Sequence, residues 1–236
     1  VEMAEQLVMA LSGVTPPYAL NAPSVAREVA PSLHPYVELG RRLAILARQL
    51  APGPFDAIAL TYAGEISAWD SGPIRTAVLG GLLESVTDRR VNAVNADVVA
   101  RERGLTVTEE RSDAAEPFAS LVILEVGEGA GRLTLSGSSA HGRPHLARLD
   151  GFTIDAELSG RILVTRHLDQ PGIVGAVGSA LAAAGVNISS LELWRLSEAG
   201  EAMMFVSVDQ AIPEDVLDEL RTVQGMIEAL VVELPV

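Results

Sequence analysis

The order of strand and helix patterns in the last third of the chain restricts the possible folds more than any other feature of the sequence. From residue 160 onward the order is strand, helix, strand, strand, helix, strand. Apolar residues recur every three or four positions in the first helical pattern and every second position in the third strand, so both elements can cover one core. A ferredoxin-like βαββαβ domain over residues 160–236 is therefore predicted. Its elements are predicted at residues 161–166, 171–184, 187–194, 201–209, 213–223 and 226–234.

The residues before this domain show a less regular mixture of helical and strand patterns. Residues 21–155 are predicted to form a separate domain that combines helices with a largely antiparallel sheet, which makes the whole chain an α+β protein. The acidic run 109–116 predicts a solvated turn. Residues 2–12 form another helical pattern, and residues 1–20 are interpreted as a remnant helix and linker from a preceding domain. Further helices are predicted at 35–50, 73–86 and 95–103, and strands at 58–62, 118–126 and 132–136.

Composition excludes several classes of chemistry. The 236 residues carry a formal charge of −14, all 17 basic residues are arginine, and cysteine does not occur. Without lysine and cysteine, the chain cannot form a Schiff base, a disulfide, an iron–sulfur cluster or a thiolate zinc site. The acidic charge argues against a nucleic-acid partner. The uncharged stretch 170–191 is interrupted by proline and glycines, which argues against a membrane span, and a cytoplasmic protein without a metal site is predicted.

The segment between the first strand and the first helix of the second domain suits an amino-acid ligand. Since Pro171 has no N–H group, the backbone N–H groups of Gly172 and Ile173 are the ones that favour a carboxylate at the positive end of the helix. The carboxylate of Asp169 can bind an ammonium group, and the amide of Asn187 can both donate and accept hydrogen bonds. The alternative is structural, with Asp169 capping the helix, Gly172 permitting packing and Asn187 beginning a strand.

Two sets of motifs resemble known domains. The run His-Leu-Asp-Gln-Pro-Gly-Ile-Val-Gly at 167–175, continued by Gly-Val-Asn-Ile at 185–188, resembles an ACT domain, an amino-acid-sensing regulatory module. The intervening domain of the long form of D-3-phosphoglycerate dehydrogenase is similar to the motifs at 62–65, 79–83, 91–96 and 101–104. The opening helix, followed by Asn-Ala-Pro at 21–23, resembles the helix that returns from the catalytic half of that enzyme family. The resemblance implies the C-terminal regulatory region of the family.

This resemblance implies a parent enzyme that oxidises 3-phosphoglycerate with NAD in the first step of serine synthesis. The 236 residues show no Gly-x-Gly-x-x-Gly motif after a predicted strand with an acidic residue about 20 positions on. No catalytic residue is therefore assigned to this chain, and NAD is expected only in the parent enzyme. The expected partners are the parent's catalytic domains and further copies of the chain, in a homo-oligomer formed through both domains.

The ACT resemblance also implies a ligand and its position. In that family, L-serine or another small amino acid binds across the junction of two paired ACT domains. Asp169 stands where some relatives carry asparagine, which bears on the identity of the amino acid. The free edge of the predicted strand 187–194 is the expected pairing surface, because an unpaired edge otherwise promotes uncontrolled association. The effector-binding residues implied here are His167, Asp169, Gly172, Ile173, Asn187 and Ile188.

A second candidate site lies in the only concentrated group of positive charge, which contains His141, Arg143, His145 and Arg148. Arg143 and His145 share a face if this stretch is a strand, where they can bind a phosphate or carboxylate. The resemblance implies an anion site, for an effector or a substrate-like molecule, at the junction with the ACT domain, and Arg166 could reach it from the next strand. The alternative is a solvated patch that pairs with Asp150 or Asp155.

Two other functions stay open at this point. The chain could be a free-standing ACT-type amino-acid sensor, or a regulatory module related to serine dehydratase, in which a similar domain pairing occurs. The lack of cysteine weighs against the dehydratase, because that enzyme needs an iron–sulfur cluster held by thiolates.

Overall fold

The structure is a computed structural model that describes residues 30–51, 55–84, 91 and 95–236. The predicted helix 2–12 and the predicted remnant segment 1–20 lie outside the described residues. Within the described part of the chain, the helices are α1 (Ala30–Leu50), α2 (Gly72–Leu83), α3 (Ala96–Glu102), α4 (Ile173–Ala183) and α5 (Glu214–Arg221). The strands are β1 (Ala57–Gly64), β2 (Thr106–Ser112), β3 (Ser120–Val126), β4 (Leu133–Ala140), β5 (Arg143–Leu149), β6 (Phe152–Glu157), β7 (Gly160–Leu168), β8 (Ile188–Arg195), β9 (Glu201–Val208) and β10 (Met226–Leu234).

The first domain contains a six-stranded sheet in the order β2-β1-β3-β4-β5-β6. The pair β1–β2 is parallel and the other four pairs are antiparallel. The predicted mixture of helices with a largely antiparallel sheet is therefore confirmed. The predicted turn at 109–116 is wrong in its first half, because residues 109–112 belong to β2. This edge strand is mostly exposed, so it lacks the alternation of apolar residues that reveals a half-buried strand.

Helix α1 lies on the inner face of the six-stranded sheet. Leu39, Leu43 and Leu46 are fully buried there, at the spacing of three and four that predicts an amphipathic helix. Helix α2 packs closely on α1, since a Cβ at Gly81 would lie 2.7 Å from the carbonyl oxygen of Arg41. None of the helices in the described ranges is long and apolar enough to cross a membrane.

The second domain contains a four-stranded antiparallel sheet in the order β10-β7-β9-β8. Helices α4 and α5 cover one face, where Val177, Leu181, Leu217 and Leu220 pack against Val206 of β9. This order of strands, with both helices on one side, is the ferredoxin-like βαββαβ fold that the sequence predicts. Strand β8 is an edge strand of the sheet as the structure describes it.

The other face of the four-stranded sheet packs directly against the first domain. Ile162, Phe205 and Val232 belong to the same apolar core as helix α1 and the six-stranded sheet. The two sheets therefore share one core across the short segment that connects β6 to β7. The predicted division of the chain into residues 21–155 and 160–236 stays a prediction.

Two side chains of α1 hold this junction through polar contacts. The amide of Gln49 accepts a hydrogen bond from the backbone N–H of Glu233 (2.9 Å) and donates one to the carbonyl of the same residue (3.0 Å). It thereby pairs with the free edge of β10 much as another strand would. The guanidinium of Arg42 donates to the buried carbonyl of Leu158, in the segment between the two sheets.

Candidate functional site

The loop between β7 and α4 is the centre of the predicted effector site. The N–H of Leu168 donates to the carbonyl of Gly225, and the N–H of Asp169 donates to the carbonyl of Gly200, both at 2.8 Å. These bonds hold the start of the loop against the turns that precede β10 and β9. Gly172 has a φ of 102°, a conformation that favours glycine, and open space lies where its Cβ would be. The loop is thus fixed at its start and open towards solvent at Gly172.

The N-terminus of helix α4 has no side-chain cap. Asp169 does not cap this helix, so the structural alternative for this residue is not observed. The N–H groups of the first helical turn have no partner within the helix, and the positive end of the helix dipole lies there. Gly172 is exposed, whereas the side chain of Ile173 is buried beneath the helix. The backbone N–H groups at these two residues can therefore donate hydrogen bonds to a carboxylate.

Asp169 lies beside the end of strand β8. Its carboxylate Oδ2 is 3.4 Å from Nη1 of Arg195, the last residue of that strand. The Asp169 side chain is 20% exposed and the Arg195 side chain is 57% exposed. An ion pair with a mostly exposed arginine contributes little and can be exchanged. Asp169 is therefore able to bind an ammonium group in place of Arg195.

His167 lies beneath the helices on the covered face of the sheet. Its Nδ1 is 3.2 Å from Oγ1 of Thr165, and both side chains are buried. Burial lowers the pKa of the His167 imidazole below its usual value, and the nearby charge of Asp169 opposes this shift. The imidazole is therefore neutral near pH 7, and it can serve as one donor and one acceptor.

We expect the substitution His167→Gln to change how the stability of the chain depends on pH. Because the folded-state pKa is lowered, the unfolded chain takes up the proton first as the pH falls below about 6.5. Protonation of His167 in the unfolded chain then lowers the wild-type free energy of unfolding by up to about 1.4 kcal/mol per pH unit, until His167 in the folded chain is also protonated. Urea unfolding at about pH 8 and about pH 5 should show that the free energy of unfolding falls more between these pH values in the wild type than in the variant. Equal losses would contradict the lowered pKa.

Asn187 and Ile188 lie at the opposite end of the sheet. Ile188 is aligned with Val208 of β9, whereas His167 is aligned with Ala202, six residues earlier in the same strand. At roughly 3.3 Å per residue, the two ends are about 20 Å apart. A single chain therefore does not bring the two groups of predicted effector residues together.

Neighbouring side chains hold Asn187 in place. Its backbone N–H donates to Oε1 of Gln210 (2.7 Å), and its side-chain Nδ2 donates to Oδ2 of Asp209 (2.6 Å). Asn187 is exposed. Its side-chain oxygen is an acceptor that these two bonds do not use.

The basic residues of the predicted anion site lie on two strands, and most of them face carboxylates. Strand β5 carries Arg143, His145 and the exposed Arg148, and β7 carries Arg166. A hydrogen bond to Glu201 raises the pKa of Arg166 and keeps it charged. The anion site stays a prediction, and the alternative pairing with Asp155 is observed for His145. The closest pairs are Arg143–Glu157 (3.1 Å), His145–Asp155 (3.0 Å) and Arg166–Glu201 (2.8 Å).

Sequence reasoning does not predict four side chains that contact the effector residues, namely Thr165, Arg195, Asp209 and Gln210. The contact of Thr165 could be predicted from the sequence, because Thr165 lies two positions before His167 and therefore on the same face of the strand. The contact of Arg195 depends on the order of strands in the sheet, which no local pattern gives. In residues 30–51, 55–84 and 95–236, no three His, Asp or Glu side chains are grouped so that they could hold a metal ion.

Comparison with known proteins identifies both domains. Residues 32–149 match the family described as the D-3-phosphoglycerate dehydrogenase intervening domain, and residues 161–225 match the ACT domain. The chain belongs to the D-3-phosphoglycerate dehydrogenase family. The resemblance drawn from the sequence motifs is therefore confirmed.

Relatives in the D-3-phosphoglycerate dehydrogenase family match nearly the whole chain. The D-3-phosphoglycerate dehydrogenase of Synechocystis sp. is 32% identical over 236 residues, which is 99% of this chain and 43% of the relative. The chloroplastic D-3-phosphoglycerate dehydrogenase 2 of Arabidopsis thaliana is 33% identical over 251 residues, which is 99% of this chain and 40% of the relative. The D-3-phosphoglycerate dehydrogenase of Methanocaldococcus jannaschii is 26% identical, with 98% of this chain and 44% of the relative covered. The chain thus spans less than half the length of these relatives.

Proposed function

We propose that the chain is the regulatory and assembly part of an NAD-dependent D-3-phosphoglycerate dehydrogenase of serine synthesis, and that L-serine binds between two paired ACT domains. The observation that carries this proposal is the division of the candidate site. His167 and Asp169 lie at one end of the four-stranded sheet and Asn187 at the other. Each end of the sheet therefore offers only half of the contacts, and the opposite end of a second copy would supply the other half.

The topology of the ACT sheet supports a specific pairing. Strands β7 and β8 are each antiparallel to β9, so they run parallel to one another. The contact of Asp169 with Arg195 fixes Asp169 at the C-terminal end of β8. If the edge strands β8 of two copies pair antiparallel about a two-fold axis, the start of one lies beside the end of the other. Asn187 of the partner subunit then lies beside Asp169 and the N-terminus of α4.

The chemistry of this shared site fits a small amino acid. The serine carboxylate binds the N–H groups at Gly172 and Ile173, and the ammonium group binds Asp169. The serine hydroxyl reaches the side chain of Asn187 of the partner subunit, which can donate and accept. Serine then stabilises the arrangement of subunits that forms this site, and it shifts the parent enzyme only by its difference in affinity between two arrangements.

L-Serine should raise the thermal unfolding midpoint of the chain by several degrees. A ligand at one hundred times its dissociation constant adds about 2.7 kcal/mol to the free energy of unfolding. Asp169→Ala and Asn187→Ala should each abolish the rise, since each removes one end of the shared site. Asp215→Ala is the matched control, because Asp215 is an exposed carboxylate at the start of α5. Equal rises in the control and in both site variants would refute serine binding at this position.

Mixing the two site variants tests whether the site is shared. In a mixed pair, the chain with Asn187→Ala supplies an intact Asp169, and the chain with Asp169→Ala supplies an intact Asn187. One complete site is then formed, so the mixture should regain serine binding by calorimetry although neither variant binds alone. A mixture that shows no serine binding, under conditions where the wild-type chain binds serine, would refute the shared site. A chain that is monomeric by light scattering, with and without serine, would also exclude the paired site.

A further inference from the structure

We propose that two side chains, Gln49 and Arg221, close the β10 edge of the ACT sheet, so that copies of the chain can pair by their strand edges only at β8. The four-stranded sheet has two edges, β10 and β8. If both edges could pair, two copies joined at β8 would still offer two β10 edges, and association would continue into an open filament. One closed edge limits this kind of pairing to a dimer.

The backbone groups that face outwards from β10 belong to every second residue. In an antiparallel strand, the N–H and C=O of one residue point to the same side, and successive residues alternate between the two sides. Both groups of Glu233 bond to the side chain of Gln49, so Glu233 faces away from β7. The register is continuous over residues 228–234, so Val231 and Ala229 face the same way. A second copy would have to pair with these three residues.

Helix α5 supplies the second cap of this edge. Arg221, the last residue of α5, donates from Nε to the carbonyl of Ala229 at 3.2 Å. Glu214 and Asp218 hold the same guanidinium, each at 2.8 Å from Nη1. Gln49 lies on α1, which packs on the opposite face of the sheet. One side chain from each helical layer therefore reaches the β10 edge.

The two caps leave no continuous stretch of the β10 edge open. Three of the six outward groups are occupied, namely the N–H and C=O of Glu233 and the C=O of Ala229. These groups lie at both ends of the outward-facing set, with Val231 between them. A second strand could therefore pair along this edge only by displacing both side chains.

Strand β8 has no comparable caps. Within the described part of the chain, no side chain bonds to a backbone N–H or C=O of residues 188–195. The hydroxyls of Ser189 and Ser190 bond to the carbonyl of Ser207 and to the side chain of Glu192. The difference between the two edges therefore favours pairing at β8. The proposal rests on the proposed pairing at β8 only for the size of the assembly that it limits, because the caps act on β10 in either case.

Light scattering of the double variant Gln49→Ala/Arg221→Ala tests the two caps. We expect its weight-average mass to exceed that of the wild type by about twofold or more and to rise with concentration, because the freed β10 edges can pair. A monomeric wild type would refute pairing at β8, but the double variant would still reach about twice that mass through β10. A double variant with the mass of the wild type at every concentration would overturn the proposal.

Two further variants show whether the growth takes place at β10. Gln170→Ala/Arg132→Ala removes the same two types of side chain and should keep the mass of the wild type. Gln170 bonds to the carbonyl of Gln224, and neither this contact nor the pair of Arg132 with Glu125 involves β10. Glu233→Pro, added to the double variant, should restore the mass of the wild type, because proline blocks an edge without breaking a bond inside the sheet. Growth that persists with Glu233→Pro, or that occurs equally in the control, would come from general destabilisation and would refute the caps.

Discussion

Gly64→Ala is expected to lower the free energy of unfolding by roughly 3–5 kcal/mol. Gly64 ends strand β1 with φ 76° and ψ −144°, a backbone region that is open almost only to glycine. A Cβ at this position would overlap the carbonyl oxygen of Ala119 and would lie 2.8 Å from the Cβ of Ala115. The carbonyl cannot easily move, because it accepts a hydrogen bond from the N–H of Glu65 at 3.0 Å. Urea unfolding followed by circular dichroism measures the loss.

Gly104→Ala is the matched control for this substitution. Gly104 has a φ of 74°, nearly the same as Gly64, but no atom lies within 4 Å of the position of its Cβ. Only the cost of a left-handed backbone applies there, about 1–2 kcal/mol. If both substitutions destabilise the chain equally, backbone conformation alone accounts for the effect, and the close approach of β1 to Ala119 contributes nothing.

The fold of the ACT domain could be predicted because its elements carry local signals. The predicted helix 171–184 corresponds to α4 (Ile173–Ala183), and the predicted strand 187–194 corresponds to β8 (Ile188–Arg195). Both are bounded by proline or glycine, which end regular elements for reasons of backbone geometry. Strand β2 gives no comparable signal, because an exposed edge strand does not need an apolar face. Strand β6 alternates between buried and exposed residues, so its pattern was available in the sequence although no strand is predicted there.

The candidate site was only partly predictable, because its geometry depends on contacts between distant segments. Asp169 and Gly172 are adjacent to helix α4 in the sequence, so their placement follows from the helix itself. The distance between Asp169 and Asn187 follows from the register of three strands, which the residue pattern does not determine. The predicted basic cluster likewise depends on neighbours: Glu157 and Asp155 come from the adjacent strand β6 and pair with Arg143 and His145. The chemistry of a short segment can therefore be predicted from the sequence, but the charge of a site to which several strands contribute cannot.

Arg42→Met is expected to destabilise the junction of the two domains by roughly 2–4 kcal/mol and to lower the thermal midpoint by several degrees. Arg42 is 8% exposed, and its guanidinium donates to the carbonyl of Leu158, which is fully buried. Methionine preserves most of the apolar stem but leaves that carbonyl without its donor. Glu38 also loses its partner, at 2.8 Å from Nε of Arg42. The measurement is thermal unfolding of the whole chain.

Arg41→Met, one position earlier in the same helix, separates this contact from the general effect of losing a charge. Arg41 is 41% exposed and reaches Glu84 at 3.4 Å on the surface, an interaction of about 0–1 kcal/mol. Both variants lose one positive charge and gain the same side chain, so the difference between them reports the buried carbonyl of Leu158. If the two variants unfold at the same temperature, the contact with Leu158 does not stabilise the junction. A larger loss for Arg42→Met shows that α1 holds the segment leading into β7, the strand that carries His167.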